Sequence, residues 1–396
     1  MLKYFRKEQF FILCLVIFYV ALLLNSLTKP FGEQHFSYLA LSFLDGRLDL
    51  NMYPWIWDDT ALYLGNHFWP LGLFPAFFLM PFVLTAKIFG FMFYQTYIQW
   101  VLVLIVFYLI YKIARKIGFN STSSIFWALA FNVASVFFYV SLVPFSWYFS
   151  QVIVVLLLFL AFLEYLGKRR RLLIGLYYAA IFLTRSTAAL GILFYVLSIL
   201  LLEKKKIQEK SLDIIKLATP LFIALVIAGV YNLLRFGNFF ELGYSYQVFG
   251  EELVKARSYG MFSLIHIPGN LYYLFFASPL PVLRDGLSRV LAFPYIKYDI
   301  WGLGIFYTSP YFLKLFTLKL KDKINKYLLL TSLAVSVPIL LYYGIGVRQF
   351  GYRYSLDFIP YLFFILMNTY GSNILSKRFK ALIVLSSFFN LYLLLV

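Results

Sequence analysis

Residues 70–91 read PLGLFPAFFLMPFVLTAKIFGF. The stretch is apolar and about as long as a bilayer-spanning helix, which needs roughly 20 residues. It also carries Pro70, Pro75 and Pro81. Proline lacks the amide donor and its ring clashes with the preceding turn, so it interrupts helical continuity. Whether this segment crosses a membrane decides the sidedness of everything after it. We read it as re-entrant, or as a kinked helix lying at one surface. The alternative is a plain span with a twelfth crossing elsewhere.

The rest of the chain sets that choice. Of 396 residues, 62% are hydrophobic and only 13% are charged, against roughly 25% charged in soluble domains. The composition predicts an all-α polytopic membrane bundle. Candidate spans are 9–27, 95–112, 122–141, 146–166, 172–184, 187–202, 214–234, 303–318, 326–344, 354–371 and 380–396, eleven if all cross. The short pair 172–184 and 187–202 flanks Arg185 and reads as a tight helical hairpin. There is no internal repeat, low-complexity tract or soluble domain, so 1–396 is one membrane domain. The basic, then apolar, N-terminus lacks a small-residue cleavage site and reads as a retained anchor. Cys14, the single cysteine, allows neither an intrachain disulfide nor a cysteine metal cluster.

A formal net charge of +18 suggests nucleic acid, but its distribution argues against that partner. The basic residues sit in short clusters between apolar runs, as cytoplasmic loops do. With the N-terminus (Lys3, Arg6, Lys7) inside and 70–91 not crossing, the inner loops hold Lys112/Arg115/Lys116, Lys168 to Arg171, Lys204 to Lys216, Lys319 to Lys326 and Lys377/Arg378/Lys380. The expectation is a multi-pass protein of the plasma (inner) membrane with a cytoplasmic N-terminus.

The segment before 70–91 then falls outside. Residues 29–69 hold Glu33, Asp45, Asp49, Asp58 and Asp59, five of only 17 acids, and two of three histidines, His35 and His67. Carboxylates gathered in an apolar chain need water, a partner or a chemical task. The long stretch 235–302 is also outside and rich in aromatics, which argues against disorder.

The polar outliers at the outer ends of spans are Glu33, His35, Asp58, Asp59, Arg185, Asn232, Arg235, Arg348 and Arg353. Arginine suits phosphate oxygens through paired donors. A carboxylate can take a proton from an attacking hydroxyl or amine. Each residue has a plainer reading. Glu33 is equally a solvated loop acid, and Asp58 or Asp59 suits a helix cap. His35 and His67 suit the interface, Arg185 suits snorkelling to lipid phosphates, and Arg348 and Arg353 suit headgroup anchoring. Arg235 lies near a helix end that Gly237 terminates. Two adjacent acids alone are weak support for a divalent metal, which stays open. The tyrosines and tryptophans read as interfacial belt residues first and as sugar-stacking platforms second.

The segments GEQHFSYLALSFLDGRLDL, LGLFPAFFLMPF, FLTRSTAALGILF, YNLLRFGNFFELGYS, FYTSP and GYRYSLDFIPYLF, in this order, give the chain a pattern that resembles the GT-C membrane glycosyltransferases. That class includes protein O-mannosyltransferases and aminoarabinose transferases; the pattern is nearest an uncharacterised bacterial branch. The resemblance implies inverting transfer from a polyprenyl-phosphate sugar to a glycan, lipid or protein acceptor at the outer face. It implies a first-loop acid as base, here Glu33, and Arg185 and Arg353 as donor-phosphate ligands. The sequence departs from the usual aspartate signature with Gly32-Glu33-Gln34, which leaves Asp58 or Asp59 as competing bases. A transporter or lipid-linked-saccharide flippase is the second reading; it expects polar residues at mid-membrane and two related halves. A non-catalytic scaffold is the third, and it expects no convergent polar cavity.

Overall fold

The computed structural model describes residues 12, 13, 16–25 and 33–396. Lys3, Arg6, Lys7, Cys14 and Pro30 lie outside the described residues, and of the first expected span only 12, 13 and Val16–Asn25 are described. The chain is mostly helical. Among the described residues five helices are long and apolar enough to cross a membrane: Thr96–Ile117, Ser146–Tyr165, Ile207–Phe236, Lys323–Leu341 and Lys377–Leu395. Shorter apolar helices, Val16–Asn25, His35–Leu44, Phe74–Ile88, Arg171–Phe182, Ser186–Leu201 and Ile359–Asn368, pack among them.

The helices differ from the expected segments in several places. Segment 122–141 is two helices, Ser121–Asn132 and Phe137–Leu142, with a break between them. Segment 303–318 forms only the turn of helix Ile305–Thr308 and the 3-10 stretch Pro310–Thr317. Gly304 there packs against the Phe275 backbone, where a Cβ would lie 2.7 Å from it, and Pro310 interrupts the run. The hairpin's second arm starts as 3-10 turns over Ser186–Ile192 before helix Leu193–Leu201, and 354–371 starts as 3-10 turns over Arg353–Asp357.

Pro81 does not break 70–91. Helix Phe74–Ile88 runs through it, with Pro75 in the first turn where its missing donor costs nothing. Pro81 lies on the exposed face, and Thr85 Oγ1 donates to its carbonyl (2.8 Å). At about 1.5 Å per residue the helix spans about 22 Å, short of a hydrocarbon core of about 30 Å. Its start is fixed to the hairpin tip: Phe74 N–H donates to the Leu183 carbonyl (2.9 Å), and a Cβ at Gly72 would lie 2.0 Å from that same oxygen.

Helix Ser146–Tyr165 is the most enclosed of the five long helices and runs between the two ends of the bundle. One end, the site end, gathers Glu33, Gln95, Ser146, Arg185 and the loops 236–302 and 342–357. The opposite, distal end gathers the basic clusters. There Arg171 pairs with Glu203 and Asp213, Asn120 N–H donates to the Asn373 carbonyl (3.0 Å), and Lys314 lies 3.7 Å from the Tyr370 ring centre. Helices Arg171–Phe182 and Ile207–Phe236 touch closely because Gly175 has no side chain; a Cβ there would lie 2.3 Å from the Leu217 carbonyl.

Two antiparallel hairpins depart from an all-helical chain. Ala61–Tyr63 pairs with Asn66–Phe68, and Leu280–Leu283 pairs with Leu291–Lys297. The first closes on a turn through Leu64-Gly65, both at positive φ (49° and 79°), a backbone that glycine adopts freely.

Candidate active site

At the site end, three loops and one helix start enclose a cavity of about 580 Å³. The first loop contributes Glu33, Asp58 and Asp59. The start of helix Ser146–Tyr165 contributes Trp147 and Tyr148. The 247–253 segment adds Phe249 and Glu252, and the 342–354 loop adds Tyr343, Arg348, Arg353 and Tyr354. Ile300 and Trp301 complete the wall. Carboxylates, guanidinium groups and aromatic rings thus meet from parts of the chain up to about 320 residues apart.

The first loop holds its acids by a local knot. Ser146 Oγ donates to the Glu33 carbonyl (2.8 Å) and accepts from the His35 amide (2.9 Å). Gln34 Oε1 accepts from the Thr96 amide (3.3 Å) and hydroxyl (3.2 Å), so the chain beside Glu33 is tied to helix Thr96–Ile117. The buried His35 ring stacks on Trp69 with centres 3.8 Å apart, and its Nε2 lies 3.1 Å from the Asp58 carbonyl. Burial pushes the His35 pKa down to about 3, so the ring is neutral and acts as packing that fixes Asp58. Gln247 Nε2 donates to the Asp59 carbonyl (3.1 Å), and Val248 N–H donates to the Thr60 carbonyl (3.0 Å). These bonds lay the 247–253 wall against the acidic loop.

The opposite wall is fixed by Gln349. Its Nε2 donates to the Trp301 (2.6 Å) and Ile345 (2.7 Å) carbonyls, and its Oε1 accepts from the Arg353 amide (3.2 Å). Tyr148 Oη donates to the Arg348 carbonyl, and Gln151 Nε2 donates to the Arg353 carbonyl (2.9 Å). Asp59 (φ 62°) and Arg348 (φ 53°) both adopt the left-handed backbone region, which a non-glycine residue holds only when its surroundings over-determine it.

The electrostatics are unusual. Burial raises the Glu33 carboxyl above its ordinary value; the Asp59 charge adds to this, and Arg348 opposes it. Burial also raises Asp59, against the opposing hydrogen bond from Trp147 and the charge of Arg353. No ion pair within 4 Å joins Glu33, Asp58, Asp59, Arg348 or Arg353 to any described residue. Arg353 is only 5% exposed, yet its Nε and Nη1 have no hydrogen-bond partner among the described residues. Its guanidinium lies over Tyr354 (4.6 Å) and Tyr148 (5.4 Å). Arg353 lines the cavity, and a buried guanidinium with unpaired donors is suited to an anion.

Four of the nine candidate residues lie elsewhere. Arg185 is bonded to Asp357, with Nε to Oδ1 at 2.9 Å and Nη2 to Oδ2 at 3.1 Å, and Thr187 Oγ1 donates to the same carboxylate (2.7 Å). Asp357 is fully buried, and it ends the 3-10 segment that begins at Arg353. Arg185 thus braces the stretch carrying Arg353 and does not line the cavity. Arg235 donates to the Trp69 carbonyl (2.7 Å) and to Asn232 Oδ1 (2.8 Å), with its guanidinium 3.8 Å from the Tyr231 ring centre. Asn232 and Arg235 therefore join helix Ile207–Phe236 to the first loop. His35 is the fourth, buried behind Asp58. His67 stacks on Trp57 (4.0 Å) and bonds Thr60 Oγ1 (2.8 Å), away from the cavity wall.

Glu252, Trp301 and Tyr343 were not anticipated as lining residues. An acid in Glu251-Glu252 carries no local sign that it lines this cavity. Among the described residues no set of three or more His, Cys, Asp or Glu side chains converges as metal ligands. No protein-family model, curated protein or solved structure matches this chain.

Proposed function

We propose that the chain is a multi-pass membrane glycosyltransferase. It transfers a sugar from a polyprenyl-phosphate carrier to a glycan, lipid or protein acceptor at the extracytoplasmic face of the plasma (inner) membrane. The observation that carries this reading is the cavity itself: Glu33, Asp58 and Asp59 face Arg348 and Arg353 across one space walled by aromatic rings. The gathering of the basic clusters at the distal end supports a cytoplasmic distal end.

In the reaction, Glu33 or Asp59 takes the proton of the acceptor hydroxyl or amine as that atom attacks the sugar C1. The C1–O bond to phosphate breaks with inversion, and its electron pair leaves with the polyprenyl phosphate. Arg353 and Arg348 neutralise the charge developing on that phosphate. A base works best when its pKa approaches the operating pH, and the raised carboxyls of Glu33 and Asp59 move in that direction. Trp147, Tyr148, Trp301 and Tyr343 offer faces for a sugar ring.

The test is transfer of radiolabelled sugar from a panel of polyprenyl-phosphate donors by the purified protein in proteoliposomes. Replacing the base, as Glu33→Gln or Asp59→Asn, should lower transfer about 10²- to 10⁴-fold. Arg353→Gln should lower it about 10²- to 10³-fold. Full activity in Glu33→Gln, Asp58→Asn and Asp59→Asn alike would sink the base assignment. Movement of intact lipid-linked saccharide across the bilayer without a covalent product would replace the transferase by a flippase.

A further inference from the structure

The hairpin formed by Leu280–Leu283 and Leu291–Lys297 has two unlike faces. Along the second strand Leu291, Phe293, Tyr295 and Lys297 are exposed, while Ala292, Pro294 and Ile296 are turned inward. The inward side is anchored. Ile296 and Tyr298 pack with Leu303, Phe350 and Leu393, and Tyr392 Oη donates to the Pro294 carbonyl. Leu393 and Tyr392 belong to the last turn of Lys377–Leu395, one of the five long apolar helices. At about 28 Å, that helix matches a hydrocarbon core, so its last turn falls at a membrane–water boundary.

No described residue of this chain covers the outward side. Leu287 at the tip is 96% exposed and Phe293 is 76% exposed. Asp285 is the tip's only acid, and it is consumed by the turn: its oxygens accept from the Leu287 amide (3.0 Å) and from the Ser288 amide (2.6 Å) and hydroxyl (2.7 Å). Arg284, Arg289 and Lys297 are exposed and join no ion pair with a described residue. Aromatic and aliphatic side chains interspersed with free cations fit the headgroup layer, where rings sit at the boundary and cations meet lipid phosphates.

We propose that this hairpin is a lipid-seated anchor that recognises anionic phospholipid headgroups. Leu287, Phe293 and Tyr295 enter the leaflet, and Arg284, Arg289 and Lys297 hold phosphates. Ile300 and Trp301, three and four residues beyond the strand, line the cavity. Seating the hairpin therefore sets the cavity mouth at headgroup level. The seating is independent of sugar transfer.

The experiment uses full-length protein with Cys14→Ser and Leu287→Cys, labelled at the new thiol with an environment-sensitive fluorophore. The variant goes into vesicles of phosphatidylcholine, with or without phosphatidylglycerol. We expect blue-shifted emission, quenching by lipid-borne nitroxide, and protection from aqueous iodide that increases with phosphatidylglycerol. A cation near an anionic surface contributes about 1 kcal/mol, or about fivefold in the seating equilibrium constant. Arg284→Gln, Arg289→Gln and Lys297→Gln together should abolish the phosphatidylglycerol dependence. Equal protection in both vesicle types would overturn the preference for anionic headgroups. Free access of iodide in both, or shielding seen only in native membranes, would overturn lipid seating; the second result would give the surface to a protein partner.

Discussion

At the distal end of the bundle Arg171 is almost enclosed, and its guanidinium meets Glu203 and Asp213; Lys205 bonds the same two acids at 3.1 and 2.7 Å. Glu164 takes a two-pronged bond from Arg170, with Oε1 to Nε at 3.1 Å and Oε2 to Nη2 at 2.8 Å. At the site end Glu33, Asp58, Asp59, Arg348 and Arg353 share one cavity, and none of them has an ion pair with a described residue. Both ends concentrate charge in an apolar chain. The distal acids pair with basic neighbours, and the cavity charges pair with no described residue. Charges that close on one another hold structure, whereas the buried Arg353 and the half-buried Glu33 and Asp59 have desolvation to recover from a ligand. Arg185–Asp357 is the instructive exception: it sits at the site end but is closed like a distal pair.

The largest test of this contrast is Asp357→Ala. The change leaves the Arg185 guanidinium without its buried carboxylate, and breaking such a pair costs about 3–5 kcal/mol. We expect the thermal unfolding midpoint in detergent to fall sharply. The double variant Arg185→Met with Asp357→Leu should recover most of the loss, since an apolar replacement leaves no orphan charge. A midpoint unchanged by Asp357→Ala would dissolve the distinction between closed and open charges.

Asp59→Asn should act in the opposite direction. Its carboxyl is raised in the folded protein by burial, so the fold prefers the protonated form. The stabilisation from that proton is complete below the ordinary aspartate pKa of about 4 and is lost as pH rises through the higher folded value. At neutral pH the wild-type charge therefore costs stability. Asparagine removes it, still accepts from Trp147, and tolerates positive φ. The variant should gain on the order of 1 kcal/mol at pH 7, as removal of functional strain often does. The gain should shrink as pH falls through the raised folded value and be gone below the ordinary aspartate range. A variant less stable than wild type at pH 7 would class Asp59 with the distal, structural acids.

These contrasts were partly legible before any coordinates. In an apolar chain every acid or arginine at a span end is an outlier, and Glu33, Asp58, Asp59, Arg348 and Arg353 do meet in one cavity. The partner of Arg185 was not legible. Asp357 lies 172 residues away, and no local pattern encodes which guanidinium it meets. Arg185 consequently read as a ligand contact when it is a brace. Hydropathy likewise could not separate 303–318 from a true span, because apolar content is the same whether Gly304 and Pro310 sit in a helix or in turns. The hairpin 280–297 was hidden for a related reason: Pro281 and Pro294 mask strand alternation, and only the coordinates separate its anchored side from its free one.

The smallest effect sharpens the contrast from the distal side. Arg170 is largely exposed, and its bond to Glu164 is screened by water. Arg170→Ala removes the guanidinium but keeps the Arg170 backbone N–H, which donates to Glu164 Oε1 at 2.9 Å. Glu164 therefore keeps a partner, and the expected loss is small, close to the error of the measurement. Thermal unfolding of the single variant, alone and combined with Glu164→Gln, measures the coupling between the two side chains. A loss approaching that of Asp357→Ala would mean that exposure does not set how much a closed pair contributes. The open cavity would then have to be distinguished by its missing partners alone.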